Sequence, residues 1–186
     1  MTGPPRGAWV PLPLLVLSLV VACACGRHNE PREAREPREL RMKSRGAVTA
    51  LAVTAGKLSF CDEDGLHQFE LPSGRGKNGA LGACPPGGLA PTAGGPEVTV
   101  RTPDHGPDDI VEIAGVADSY PLEGHATDWA SDQGPVVIVA TASLVLRIDP
   151  AAGRRTLLSS AGATRVAVGA GWAAWWDGSA ISARPL

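Results

Sequence analysis

Between Gly46 and Leu186 the sequence predicts an all-β domain made of short, recurring strand units. Three observations carry this reading. From Thr49 onward, short apolar runs alternate with breaks containing Gly, Pro or Asp, and no stretch keeps a helical period over about eleven residues. Glycine (23) and proline (17) are abundant, so the chain turns often; aromatics are only 4%, so the core must be built mainly from Val, Leu, Ile and Ala. Third, similar segments recur at a nearly constant interval, which decides fold class more strongly than any single strand.

In chain order, the first element is a leader over 1–22. Arg6 supplies one positive charge, and Ala8 to Ala22 is apolar apart from Ser18, Pro11 and Pro13. At about 15 residues this run is short for a bilayer span, which needs about 20. It ends in Val20-Val21-Ala22-Cys23. That tetrapeptide resembles the lipobox of bacterial lipoproteins. The resemblance covers residues 1–23 and implies cleavage before Cys23 and acylation of its thiol with fatty chains of the palmitate type. It also implies a lipid anchor, since two or more acyl chains hold a protein on a membrane where one binds only marginally. Cys25 is a second acceptor with a poorer residue, Ala22, at its −3 position. The other readings are an ordinary cleaved signal peptide or an uncleaved membrane anchor.

Residues 23–45 follow as a charged tether. Arg27 to Arg45 is almost free of apolar residues, and Pro-Arg-Glu occurs at Pro31 and again at Pro37. Alternating charge and proline favour a solvated linker. From Ala24 to Arg45 seven basic residues face four acidic ones, a net of +3 (7 − 4), whereas 46–186 carries nine against fifteen, a net of −6 (9 − 15). That balance gives the domain no electrostatic footprint for nucleic acid.

Within the domain, units open at Leu51-Ala-Val-Thr-Ala-Gly56, Leu89-Ala-Pro-Thr-Ala-Gly94, Asp128-Trp-Ala-Ser-Asp-Gln-Gly134 and Val166-Ala-Val-Gly-Ala-Gly171. The spacings are 38, 39 and 38 (89 − 51, 128 − 89, 166 − 128). A second strand follows each opening, at Lys57–Cys61, Glu97–Arg101, Val136–Thr141 and Trp172–Trp176. The third slot is filled by 65–72, Ile110–Ile113, 144–149 and Ala180–Pro185, mostly with the period-2 alternation of a half-buried strand. The pattern resembles the blade unit of a β-propeller. It implies a propeller-like array of about four short blades, with a β-sandwich or an incomplete propeller as alternatives. Unit two is irregular: Pro103-Asp-His-Gly-Pro-Asp-Asp109 interrupts it, and Pro121 sits where a fourth strand belongs. The last unit stops after its third strand, so closure needs a strand from the N-terminal side, either Leu40–Lys43 or Ala47–Val53.

Cys61 and Cys84 are 23 residues apart, and export to an oxidising compartment makes them a candidate disulfide, with two separate buried thiols as the alternative. The acidic loops Asp62-Glu-Asp-Gly65 and 104–109 do not match calcium-loop spacing, and no Cys-x-x-Cys lies in the domain, so no cofactor or metal is expected. Were a metal bound, Asp104, Asp108 and Asp109 would be the first positions to test. Trp172, Trp175 and Trp176 are core candidates; Trp175 and Trp176 face opposite sides of a strand, so one could instead stack on a sugar or a partner protein. His28, His67, His105 and His125 are scattered singly, and no nucleophile elbow or zinc-protease motif occurs.

The function expected from the sequence is therefore a binding or scaffolding module on an exported lipoprotein. Its expected partners are the membrane, through the anchor, and a protein or carbohydrate. Ala24 rather than Asp after Cys23 implies, by the same resemblance, the outer membrane of a Gram-negative host; otherwise the site is the outer face of the single membrane. The alternatives are a propeller-type hydrolase or lyase acting on a polysaccharide, which would have to use the 104–109 loop, and a decayed paralogue.

Overall fold

The computed structural model describes residues 39–77, 79–90 and 94–186; the leader, Cys23, His28 and most of the tether lie outside the described residues. The fold is all-β, with four small antiparallel sheets and no closed barrel. Sheet one contains β2 (Ala50–Thr54), β3 (Lys57–Asp62), β4 (Gly65–Glu70) and β5 (Arg75–Gly76) in sequence order. Sheet two has three strands, β6 (Val98–Arg101), β7 (Ile110–Ile113) and β8 (Ser119–Pro121). Sheet three contains β9 (Ala126–Ser131), β10 (Val137–Thr141), β11 (Val145–Asp149) and β12 (Arg154–Ser159). Sheet four runs β13 (Arg165–Gly169), β14 (Trp172–Trp176), β15 (Ala180–Pro185), and then takes β1 (Leu40–Lys43) as its fourth strand.

β1 pairs with β15 from Leu40↔Ala183 to Lys43↔Ala180. The stretch read as the end of the tether therefore belongs to the folded domain. The reason is its alternation: Arg41 and Lys43 are exposed, while Met42 is buried in a cluster with Phe60, Trp172 and Ile181. Two apolar side chains on the same face, Met42 and the half-buried Leu40, are enough to recruit a short strand once a partner edge is available.

Tight hairpins set the register in sheets one and four. Ala55 and Gly56, and again Ala170 and Gly171, have positive φ (45°, 75°, 49° and 76°). Two successive left-handed residues match the twist of the flanking strands, so the recurring Ala-Gly pair is turn chemistry. An alanine in this conformation is tolerated only where the hairpin on either side holds it.

The unit spacing is less regular than the sequence suggests. The first strands of the four sheets begin at 50, 98, 126 and 165, at intervals of 48, 28 and 39 (98 − 50, 126 − 98, 165 − 126). Leu89, Ala90 and Gly94 are not in a strand, and sheet two opens at Val98 instead. Proline at 91 and 96 and paired glycines at 87–88 and 94–95 disfavour a ladder there, so the opening moves to the first β-branched run, Val98-Thr-Val100.

Opposite faces of one sheet serve different cores. In sheet three, Ile138 and Ala140 pack with Val166, Val168, Ala173 and Trp175 of sheet four. The alternate residues Val137 and Val139 pack with Val111, Ile113 and Tyr120 of sheet two. In sheet four, Ala167, Trp172, Ala174 and Ile181 turn the other way, onto Val53, Leu58 and Phe60 of sheet one. β10 is accordingly buried at all five positions. Among the described residues no comparable cluster joins sheets one and two, where residues 77–97 form the connection.

Candidate functional site

The first strands of the sheets, β2, β6, β9 and β13, line one cavity of about 520 Å³. Each is an edge strand, so each presents one side of its backbone away from its own sheet. Leu51, Val53, Val98, Ala130, Val166 and Val168 supply the apolar part of the wall, and polar atoms make up about as much of it. The lining has one ionisable group, Asp128, and one aromatic, Trp129.

β9 is tied to its neighbours by three side chains. Asp128 Oδ2 accepts from the Val166 backbone N–H at 2.8 Å, and Oδ1 accepts from the Trp129 N–H at 3.0 Å. Thr127 donates to the Ala163 carbonyl, and Ser131 Oγ donates to the Pro96 carbonyl at 3.1 Å. Gly95 allows that last approach: a Cβ there would lie 2.6 Å from the Asp132 carbonyl oxygen and 2.5 Å from Ser131 Oγ. Burial raises the Asp128 carboxyl above its usual value, against the two backbone donors and nearby Arg165, which act in the opposite direction. Trp129 remains 44% exposed, an unusual state for the largest apolar side chain and one suited to stacking.

The sequence pointed to other tryptophans. Trp172 and Trp175 are buried, and Trp176 is half-buried with its Nε1 donating to Ser44 Oγ at 3.2 Å. Trp175 and Trp176 do face opposite sides, but each side is a core. Trp129 was legible as an aromatic in a unit opening; its exposure depends on the partner sheets.

Cys61 and Cys84 are bonded to each other with Cα atoms 5.8 Å apart. The three aspartates of the 104–109 loop do not converge on a metal, and the described residues hold no group of three or more metal-binding side chains. Asp109 is structural. Its carboxylate accepts from Thr102 Oγ1 at 2.7 Å and from the Ala126 N–H at 2.8 Å, and it pairs with His125 Nδ1 at 3.1 Å. Asp108 caps the neighbouring turn by accepting from the Gly124 N–H at 2.8 Å. In sheet one, buried Asp62 likewise serves the fold, holding His67 Nε2 at 2.9 Å and the Arg45 and Asp64 N–H groups.

Asp109 and Asp62 contribute to the acid limb of stability, as does Asp177, whose carboxyl is also held low despite burial. The Thr102 hydroxyl, then His125 and the Ala126 N–H, hold Asp109 below the usual carboxylate value despite burial. For Asp62 burial pushes upward, but the backbone donors and His67 outweigh it and the net shift is downward. A depressed folded-state pKa gives stability that is complete above the unfolded value and is lost as pH falls through the folded one. The wild-type domain should therefore lose stability as pH drops below about 4. Asp109→Ala should cost about 2 kcal/mol at neutral pH and flatten that acid limb. Urea unfolding across pH checks both; an unchanged acid slope in the variant would refute the assignment.

In comparisons with known proteins, the chain matches no protein-family model, and no curated protein or solved structure shows significant similarity to it.

Proposed function

We propose that this protein is an exported, lipid-anchored lipoprotein whose four sheets form a small propeller-like binding module, with the cavity between their first strands as the ligand site. The observation that carries the binding reading is Trp129: an exposed indole on the wall of a cavity to which all four sheets contribute. The propeller arrangement is supported by the two-sided packing of sheets three and four and by β1 completing sheet four. The anchor is supported by Val20-Val21-Ala22-Cys23 and the charged stretch behind it.

The mixed polar and apolar wall, single carboxylate and exposed indole suit a neutral ligand with an apolar face and hydroxyls, which is the chemistry of a sugar. Titrating a panel of mono- and disaccharides against tryptophan fluorescence tests this. A saturable change that disappears in Trp129→Ala, with the circular dichroism spectrum unchanged, is the expected result; a response that survives the substitution would move the site elsewhere. Mass spectrometry of the mature N-terminus tests the anchor, with diacylglyceryl-Cys23 expected.

A further inference from the structure

A second concavity, of about 410 Å³, lies on sheet one. Its wall carries Lys57, Arg75 and Lys77 against a single carboxylate, Glu70. Lys57 is opposite Glu70, and Glu70 is opposite Arg75, so these three side chains share one face of the sheet. Elsewhere Arg41, Arg45, Arg101 and Arg147 each pair with a carboxylate, while Lys43, Arg154, Arg155, Arg165 and Arg184 have none within ion-pair distance among the described residues. Among the described residues the three groove cations have no such partner within ion-pair distance.

Leu81 forms the lip of the same groove and is 43% exposed. Its position is held from both sides. The Leu81 N–H donates to the Leu66 carbonyl at 2.6 Å, the Leu66 N–H donates to the Gly82 carbonyl at 2.8 Å, and Cys84 is bonded to Cys61. An exposed apolar side chain on a held backbone, beside three cations and one carboxylate, matches the boundary between lipid phosphate and acyl chain.

The groove also lies where the chain enters the domain. Leu40, at the start of β1, packs beside the turn before Arg75: a Cβ on Gly74 would be 3.3 Å from Leu40 Cδ2. Ala24 to Glu39 carries four Arg and four Glu, a net of zero; Leu40 to Arg45 adds Arg41, Lys43 and Arg45, both arginines being ion-paired; and Gly46 to Leu186 nets −6 (9 − 15). With residues 46–186 acidic as a whole, a locally basic face decides which side of the domain can approach an anionic surface.

We propose that this groove docks the domain on an anionic membrane surface, with lipid phosphates between Lys57, Arg75 and Lys77 and Leu81 at the acyl boundary. The proposal rests on the membrane-anchored reading above. It predicts that the mature chain from residue 23, carrying Cys23→Ser so that no acyl chain contributes, binds phosphatidylcholine vesicles only when they contain phosphatidylglycerol. Binding should fall steeply with salt. The variant Lys57→Gln/Arg75→Gln/Lys77→Gln should bind on the order of 100-fold more weakly. Leu81→Ser should weaken binding about fivefold with the same salt slope, and Arg154→Gln/Arg184→Gln should bind like the parent.

No binding by a folded parent, or equal binding by the triple variant, would overturn the proposal. Displacement by millimolar inorganic phosphate would also overturn it, assigning the groove to free phosphate instead. The N-terminal mass spectrum separates the two readings. An acylated Cys23 with no vesicle binding sinks the docking alone, whereas groove-dependent binding by a chain whose native N-terminus is unacylated sinks only the anchor.

Discussion

Trp175→Ala is expected to cost about 3–5 kcal/mol, a large part of the total stability of a domain this size. Trp175 is 2% exposed and fills the space between sheets three and four, against Ile138, Val145 and Val166. Removing it leaves a cavity that flanking strands cannot collapse into without breaking their own ladders. Trp176→Ala should cost markedly less, because Trp176 is only half-buried and its Nε1 can exchange Ser44 for water. Urea midpoints of the two variants check the ordering. Equal losses would mean that the seam between sheets three and four does not depend on this side chain.

The second large effect concerns β1. Met42→Asp places a carboxylate in the cluster of Phe60, Trp172 and Ile181 and should cost about 4 kcal/mol at neutral pH. Arg41→Gln, one residue away, removes an ion pair whose Arg41 side chain is 66% exposed and should cost less than about 1 kcal/mol. Denaturation of both variants of the full chain gives the comparison. A small loss for Met42→Asp would show that sheet four is stable with three strands.

Much of the strand pattern was legible. Trp172–Trp176, Ile110–Ile113 and Ala180–Pro185 are strands at the expected bounds, because alternation between turn residues is a local property. Local pattern also favoured Leu40–Lys43 as one of two closing strands. Unit two was misplaced because Leu89-Ala-Pro-Thr-Ala-Gly94 copies the composition of a unit opening without its pairing partners. The exposure of Trp129 was not legible, since the cavity it lines is assembled from the first strands of four different sheets. The commitment of Asp109 was equally hidden: its partners Thr102, His125 and Ala126 are 7, 16 and 17 residues away.

The placement of β1 has a mechanical consequence. Any pull transmitted along the chain from residues before Leu40 reaches the domain first through the β1–β15 ladder, whose register spans four residue pairs. Behind it stand the burial of Met42 and the bond from Trp176 to Ser44, both in the path of the same load. Under tension the domain would therefore give way at its closing strand before the disulfide-braced sheet one felt the force.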